Sequence, residues 1–218
     1  MTKKFLITRP NHDVMTSYLH DFSKETVVRA KASKNVRVAE LEGEKAIRKN
    51  FESMLSKECP QLVFLNGHGD SNNVTGHRNE VILDAENVNL TEGKIVYALA
   101  CDSLEELGEK AIKKGATAYI GYNSSFMIVR DPSRESSPSK DKNALPFKKA
   151  CSVLINSLLF NSLSAGESIE KTKEEYRRQI KSYGTSEDDP YGDVPLIRFA
   201  LAWNLEFLDM HGDANASF

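Results

Sequence analysis

Short apolar runs alternate along this chain with longer segments in which apolar residues recur at helical spacing. A run of a few apolar residues bounded by polar or turn-forming residues is typical of a buried strand. Such runs lie at 4–8, 25–32, 61–66, 94–100 and 117–122. In the last apolar segment, VPLIRFALAW at 194–203, bulky residues alternate with smaller or polar ones. This period of two predicts a further strand with one buried face.

Amphipathic helices are predicted between these runs. Pro60 and Gly115 provide natural ends for those that precede them, and Ser103 is a candidate N-cap. The predicted helices cover 13–22, 43–58, 103–114, 146–164 and 167–182. Residues 70–93 are polar apart from one short apolar run, and we interpret them as a hairpin or loop excursion.

Strands that alternate with helices predict an α/β fold, in which a mostly parallel central sheet is covered by helices on both faces as a three-layer sandwich. A length of 218 residues fits a single domain, 1–218, because single cores serve up to roughly 250 residues. The polar segments near 130–144 and 184–193 are predicted to be flexible loops. In parallel sheets of this kind, ligands bind beyond the carboxyl ends of the strands.

Composition and charge exclude several classes of protein. Hydrophobic residues make up 40% and charged residues 28%, which is typical of a soluble globular domain. A net charge of -2 provides no basic field for nucleic acid or anionic membranes. The N-terminal apolar run is too short for a signal peptide, and no stretch approaches the roughly 20 apolar residues of a membrane span. We therefore expect a cytoplasmic protein that binds neither nucleic acid nor membrane.

The three cysteines, Cys59, Cys101 and Cys151, are widely spaced and form no CxxC pair. An odd, scattered set predicts free thiols and argues against a disulfide framework or a zinc site. We expect no metal and no cofactor. Cys59 and Cys151 are interpreted as structural, because the first precedes a proline at a helix end and the second lies on the apolar face of a helix.

His68 and Cys101 each directly follow a predicted core strand. If the strands 61–66 and 94–100 are neighbours in a parallel sheet, both side chains lie at the same edge, since neighbouring strands are about 5 Å apart. A thiolate is a nucleophile, and a nearby imidazole can accept its proton. The glycine at Gly69 permits close approach of the backbone, and the amides of Gly69 and Cys101 can converge on the oxygen of an attacked carbonyl.

The two segments "LVFLNGHGD" and "IVYALACDS" resemble the caspase-like cysteine peptidases, a group that includes caspases, metacaspases, gingipains, separases and bacterial CHAT domains. In that group one strand delivers His-Gly and the next core strand delivers the catalytic cysteine. "KKGATAYIGYNSSF" is similar to the strand that follows the cysteine helix. "YGDVPLIRF" is similar to a late Gly-Asp-Pro segment, with Val194 interrupting it. The resemblance covers roughly residues 4–205.

The bacterial CHAT and gingipain-like branch is the closest match within this group. The caspase signature Q-A-C-[RQG]-G is absent, and Leu99 stands where metacaspases have an acidic residue. The resemblance implies a cysteine endopeptidase that cleaves proteins or peptides, with His68 as general base or acid and Cys101 as nucleophile. It also implies an effector that an upstream protein activates, in the setting of antiviral defence or cell death.

Members of this group often read the residue before the scissile bond with a charged side chain from the loop after the first strand. In this chain Asp13 lies in that loop and would select arginine or lysine, with Asp102 as a second candidate acid. Arg9 is the opposing candidate and would select an acidic residue. We expect a basic preference. The loop at 130–144 is a candidate self-processing site with basic residues at Arg130, Arg134, Lys140 and Lys142.

Two alternatives from other classes remain open. The chain can be an inactive caspase-like scaffold that binds a partner, or a nucleotide-binding α/β domain. The second is weak, because no GxGxxG or GxxxxGK[ST] follows a strand. The remaining histidines receive no role: His77 is predicted to be solvated, and His12, His20 and His211 have no evident partner in the sequence.

Overall fold

The computed structural model describes residues 2–184 and 192–218. Its strands are β1 (Lys3–Arg9), β2 (Val36–Glu42), β3 (Leu62–Asn66), β4 (Val74–Thr75), β5 (Val81–Leu83), β6 (Ile95–Leu99), β7 (Ala118–Tyr122) and β8 (Leu208–Gly212). Its α-helices are α1 (Val14–Ala32), α2 (Arg48–Glu58), α3 (Glu109–Lys113), α4 (Leu145–Phe160), α5 (Ala165–Ser182) and α6 (Val194–Phe207).

Within the described residues, the main sheet has the order β2-β1-β3-β6-β7-β8. Every neighbouring pair in it is parallel except β7 and β8, which run antiparallel. The small strands β4 and β5 form a separate antiparallel hairpin between β3 and β6. This arrangement confirms the predicted α/β fold with a mainly parallel central sheet, and also the excursion predicted at 70–93.

Alternate residues of the strands divide the core into two layers. Phe5 and Ile7 of β1 face a layer that contains side chains from α1, α4, α5 and α6. Leu6, between them, faces the opposite layer, to which α2 and α3 contribute. Strands buried on both faces explain why β1, β3, β6 and β7 appear in the sequence as continuous apolar runs.

The strand predicted at 25–32 is wrong, because these residues form the second half of α1. Thr26 and Val27 are buried while Val28 is 62% exposed, which is the pattern of a helix face. The β-branched residues favour a strand only weakly, and packing of the helix face against the sheet outweighs that preference. The second strand is β2, which directly follows this helix and pairs in parallel with β1.

The strand predicted at 194–203 is also wrong, because this segment lies in α6. Pro195 stands in its first turn, where a missing N–H costs nothing. The buried positions recur at helical spacing and are Ile197, Ala200, Leu201 and Asn204, whereas Leu196 and Phe199 are exposed by 55% and 54%. The last strand of the sheet is β8, which the apolar pattern did not reveal.

The loop predicted at 130–144 lies between β7 and α4 and contains short 3₁₀ turns at Pro132–Arg134 and Pro138–Lys140. It is anchored at Asp141, which is buried and accepts a hydrogen bond of 2.6 Å from the Tyr18 hydroxyl. Most of the loop predicted at 184–193 lies outside the described residues. None of the helices in the described part of the chain is long and apolar enough to cross a membrane.

Candidate active site

The register of β3 and β6 places His68 and Cys101 at the same level of the sheet edge. Asn66 and Leu99 are paired at the carboxyl ends of these parallel strands. His68 lies two residues beyond the first and Cys101 two residues beyond the second. The predicted adjacency of the two strands is therefore confirmed, and the candidate base and the candidate nucleophile leave the sheet side by side.

Gly69 packs directly against the backbone that carries the cysteine. A Cβ atom at this position would lie 2.9 Å from the carbonyl oxygen of Cys101 and 2.9 Å from the Cβ of Ala100. No real side chain tolerates such contacts with backbone, so the His68 loop can approach the Cys101 turn this closely only with glycine at 69.

The amide of Gly69 is not used by the hydrogen-bond ladder around it. Gly69 and Val74 form an isolated antiparallel bridge. The bonds that flank it join Thr75 N–H to the His68 carbonyl at 2.9 Å and Asp70 N–H to the Asn73 carbonyl at 3.1 Å. The N–H of Gly69 therefore points away from the ladder.

Asp13 is hydrogen-bonded to His68. Its Oδ2 lies 2.7 Å from the Nε2 of His68. Its Oδ1 accepts a hydrogen bond of 2.7 Å from the backbone N–H of Thr16, so that Asp13 is the N-cap of α1 in a reciprocal capping box with Thr16. Because the cap fixes one oxygen, the other is held toward His68.

These contacts also set the charge of Asp13. Burial raises the pKa of the carboxyl group, but the hydrogen bonds from Thr16 and His68 outweigh it, and the net pKa is lowered. A carboxylate at Nε2 leaves Nδ1 as the ring nitrogen that is free for another partner. Both oxygens of Asp13 thus have partners within the protein.

The sulfur of Cys101 is half-buried and accepts a hydrogen bond of 3.3 Å from the backbone N–H of Phe126. Burial raises the pKa of the thiol, the Phe126 N–H opposes this, and the charge of Asp102 adds to the rise. Within the described residues, no hydrogen bond joins the His68 ring to this sulfur. The thiol is therefore neutral in this arrangement.

The helix that follows Cys101 begins directly after Ser103, as predicted, but Ser103 does not cap it through its side chain. The Ser103 side chain makes no capping hydrogen bond; it is fully buried and its hydroxyl lies 3.4 Å from the Ala100 carbonyl. The first turn, Leu104–Gly108, is π-helical and leads into α3. Ser103 thus occupies the N-cap position, but its hydroxyl turns back toward the strand instead of capping the helix.

Asp102 and Arg9 have very different environments. Asp102 has φ of 55°, in the left-handed region, and the Ser125 hydroxyl lies 3.4 Å from its Oδ2. Arg9 is 4% exposed, and its guanidinium contacts Glu40 at 2.5 Å, Glu42 at 3.3 Å and the backbone carbonyl of His20 at 2.8 Å. Its charge is neutralised in place, so Arg9 is not free to bind an acidic substrate residue.

A cleft of about 490 Å³ lies next to Cys101. Phe126, whose amide contacts the sulfur, forms part of its wall, and so does Met15, two residues beyond Asp13. The other lining residues are Met127, Ile128, Val129, Arg130, Pro132, Glu135, Asp193, Leu196 and Ala200. The lining is mainly apolar and includes two carboxylates, those of Glu135 and Asp193.

Further histidines lie beside this site, which the sequence did not reveal. The Nε2 of His12 is 3.4 Å from the Oδ2 of Asp13, and the ring centroids of His12 and His77 are 5.4 Å apart. His77 was predicted to be solvated, but its Nδ1 is buried. The sequence does contain His12 and Asp13 directly after β1. Their proximity to His68 could be predicted only by knowing that β1 lies beside β3.

Cys59 and Cys151 lie at the end of a helix and within one, but the first is exposed to solvent and the second is buried. Cys59 ends α2 in a left-handed conformation, with φ of 45°, and is exposed. Cys151 is buried in α4, and burial raises the pKa of its thiol to about 12. The second is thus a core residue, as predicted, and the first is the accessible thiol to compare with Cys101.

Comparison with known proteins finds similarity at the level of structure. No family model matches the sequence, and no curated protein matches it. The complex of the pro- and mature domains of gingipain RgpB from Porphyromonas gingivalis matches 99% of this chain with a TM-score of 0.55 at 10% identity. A secreted C11 cysteine protease from Bacteroides thetaiotaomicron, iotapain, matches 58% of this chain and 53% of its own, with a TM-score of 0.42 at 13% identity.

The fold is therefore caspase-like, with a mainly parallel sheet between helical layers. The match covers 48% of the RgpB chain, so this chain spans about half the length of that structure. At this level of identity the comparison supports the fold, and the chemistry has to be inferred from the residues at the sheet edge.

Proposed function

We propose that this chain is a cysteine peptidase in which Cys101 is the nucleophile, His68 the general base and acid, and Asp13 the residue that orients His68. The observation that carries the proposal is the shared level of His68 and Cys101, each two residues past the paired positions Asn66 and Leu99. The carboxyl edge of a parallel sheet is where such folds place their chemistry.

The proposed reaction uses these groups in sequence. The Cys101 thiol passes its proton to Nδ1 of His68, and the sulfur forms a bond to the carbonyl carbon of the peptide. The negative oxygen accepts hydrogen bonds from the amides of Gly69 and Cys101. The imidazolium then gives its proton to the departing amine as the C–N bond breaks, and water hydrolyses the thioester. Asp13 stabilises the imidazolium and holds the ring in the tautomer with Nδ1 free.

The arrangement described here corresponds to a resting state. The thiol is neutral, because burial raises its pKa, and its sulfur is bonded to Phe126 rather than to His68. The Phe126 N–H stabilises the thiolate, so this contact can persist in the thiolate–imidazolium pair; the contact still to be made is between the sulfur and the His68 ring. We therefore propose that substrate or an upstream activating protein brings the His68 ring to the sulfur.

The proposed substrate is a protein or peptide with a basic residue before the scissile bond. Support comes from Glu135 and Asp193, which line the cleft beside Cys101. Arg130 pairs with Glu135, and a substrate arginine would compete for that carboxylate, whereas Asp193 accepts a hydrogen bond of 2.6 Å from Asn143. Asp102 is a further candidate for the acid that binds the basic substrate side chain. Membership of the CHAT branch and a function in antiviral defence rest on the sequence resemblance alone.

An inactive scaffold is the second candidate, and one observation favours it. A neutral thiol that, within the described residues, has no hydrogen bond to His68 is what a chain that has lost catalysis would also have. In that case the cleft would bind a peptide without cleaving it, and the pairing of His68 with Asp13 would serve only to hold the loop.

Profiling of a peptide library separates the two. Wild-type protein, Cys101→Ala and the control Cys59→Ala are compared under the same conditions. The proposal predicts cleavage by wild type and Cys59→Ala, with loss in Cys101→Ala. Equal turnover in Cys101→Ala, or bound but uncleaved peptides with all variants, would exclude a Cys101 peptidase.

A further inference from the structure

His12, Asp13 and His68 form a compact cluster of metal-ligating side chains. One ligand atom from each lies within 4.8 Å of the others. Two imidazole nitrogens and one carboxylate oxygen are the ligand types that Zn²⁺ prefers, and catalytic zinc sites commonly have three protein ligands with water in the fourth position.

The spacing of these atoms suits a small tetrahedral ion. With metal–ligand distances near 2.0–2.1 Å, tetrahedral ligands are about 3.3 Å apart. The Nε2 of His12 is 3.4 Å from the Oδ2 of Asp13. The Nε2 of His68 is 2.7 Å from the same oxygen, so a small rotation that lengthens this contact, with the two imidazoles already within 4.8 Å of each other, would bring the three atoms to tetrahedral spacing.

The surroundings hold His12 toward the cluster. Its side chain is 10% exposed, and the Oδ1 of Asn79 lies 3.2 Å from its Nε2. Arg78 and Asn79 have φ of 54° and 61°, a left-handed pair that non-glycine residues adopt only under constraint. Asn79 can thus act as a fourth ligand or bind a metal-bound water.

A further feature is consistent with an ion site. A cleft of about 290 Å³, lined by His68, Gly69, Asp70, Asn73, Thr75 and Asn79, gives access from solvent.

We propose that His12, Asp13 and His68 bind one divalent transition-metal ion of the Zn²⁺ class, and that the ion silences the site. The silencing rests on the proposed peptidase function. A metal on Nε2 of a neutral imidazole leaves the ring proton on Nδ1, and Nδ1–H cannot accept a proton from the Cys101 thiol. The bound ion also takes the Asp13 oxygen that would stabilise the imidazolium.

Metal binding is measured first, in full-length Cys59→Ser/Cys101→Ala protein, so that accessible thiols do not bind the ion. After EDTA treatment and its removal, Zn²⁺ is titrated in competition with a chromophoric chelator. The proposal predicts one Zn²⁺ per chain, with affinity lowered at least about 10²-fold by His12→Ala. The control His20→Gln removes an imidazole that pairs with Glu42 instead and keeps the affinity. Mg²⁺ and Ca²⁺ do not compete, since they prefer oxygen ligands.

Co²⁺ then provides a spectroscopic readout, with d–d bands of a tetrahedral N/O site that disappear in His12→Ala. Silencing is measured as peptide hydrolysis with and without Zn²⁺, each variant being compared with its own metal-free rate. The proposal predicts inhibition of wild type and His20→Gln and resistance of His12→Ala.

Absence of Zn²⁺ binding, or affinity unchanged in His12→Ala, overturns the site. Binding with the predicted His12 dependence but without inhibition of an active enzyme overturns the silencing. If the ion binds as predicted and no variant hydrolyses peptides, the metal site is supported and the peptidase function fails, so the two failures are distinguishable.

Discussion

The Nε2 of His68 lies 2.7 Å from the Oδ2 of Asp13, although 55 residues separate them in the sequence. The contact joins the loop after β1 to the loop after β3, and these strands are neighbours in the sheet. The same carboxylate caps α1 through its other oxygen. One acidic side chain therefore connects the start of the first helix to the candidate catalytic histidine.

Asp13→Asn and Asp13→Ala separate the contribution of Asp13 to capping α1 from its contribution to orienting His68. Asparagine is as good an N-cap as aspartate, whereas alanine loses about 1 kcal/mol, which corresponds to a decrease in Tm of about 2–4 °C for a domain of this size. Both variants lose the carboxylate at His68, so both should lose kcat by about 10²-fold or more. Peptide hydrolysis and thermal unfolding measure the two effects; an Asp13→Asn variant with full activity would remove Asp13 from the mechanism.

The contact between Asp13 and His68 also makes the stability of the fold depend on pH. The pKa of Asp13 is lowered in the folded protein, so its carboxylate contributes stability above the unfolded pKa, and this contribution disappears as pH falls through the folded value. The difference in unfolding free energy between wild type and Asp13→Asn should be present at pH 7 and should shrink below about pH 4. Urea unfolding at a series of pH values measures it. A difference that is constant down to pH 3 would contradict the ionic origin.

Gly69→Ala tests the close approach of the two loops. The added Cβ would lie 2.9 Å from the Cys101 carbonyl oxygen, so the His68 loop must move away and the oxyanion donor moves with it. Loss of one such donor costs about 10²–10³ in rate. Gly43→Ala is the matched control, because Gly43 has φ of +55° but no neighbour within 4 Å. It should lower Tm and keep the activity, whereas Gly69→Ala should lose activity even at temperatures where it is folded.

Substrate preference is predicted from the acidic residues of the cleft. Fluorogenic peptides that end in arginine, lysine or aspartate should be cleaved in the order arginine, lysine, aspartate, because a guanidinium can pair with a carboxylate in bidentate fashion. Asp193→Asn and Glu135→Gln should lower kcat/KM for the arginine substrate more than for an uncharged one. Cleavage after aspartate alone would exclude a basic preference.

Self-processing is predicted in the loop at 130–144. Arg134 and Lys140 are exposed, whereas Arg130 is partly buried and paired with Glu135. Cleavage after Arg134 or Lys140 is therefore favoured over cleavage after Arg130. Mass spectrometry of wild type and Cys101→Ala, each before and after incubation with an active preparation, identifies the cut. Chains that stay intact under all of these conditions would rule out processing in this loop.

The sequence predicted the parts of the fold in which each residue's environment follows from its neighbours along the chain. Continuous apolar runs identified β1, β3, β6 and β7, since strands buried on both faces leave no other pattern. It was wrong for α6, where Phe199 and Trp203 suggested a period of two. The buried face includes Ala200 and Asn204, which do not stand out as apolar in the sequence.

The candidate site was predictable only in part, because some of its contacts depend on the order of the strands in the sheet. His68 and Cys101 follow strands that are successive in the core, so their proximity followed from the order of the chain. The contact of His68 with Asp13 and His12 depends on β1 lying beside β3 rather than at an edge, which no periodicity in the sequence specifies. The bond from Phe126 to the Cys101 sulfur depends in turn on the path of a loop.

Covalent labelling tests the proposed nucleophile most directly. A peptidyl acyloxymethyl ketone that ends in arginine is incubated with activated wild type, His68→Ala and Cys59→Ser, and the adduct is located by tandem mass spectrometry. Cys59 is the exposed thiol and Cys101 the half-buried one, so reaction driven by accessibility alone would label Cys59. The account predicts an adduct on Cys101 in wild type and Cys59→Ser that falls by about 10²-fold or more in His68→Ala. Labelling confined to Cys59, or labelling of Cys101 that is equal without His68, would contradict it.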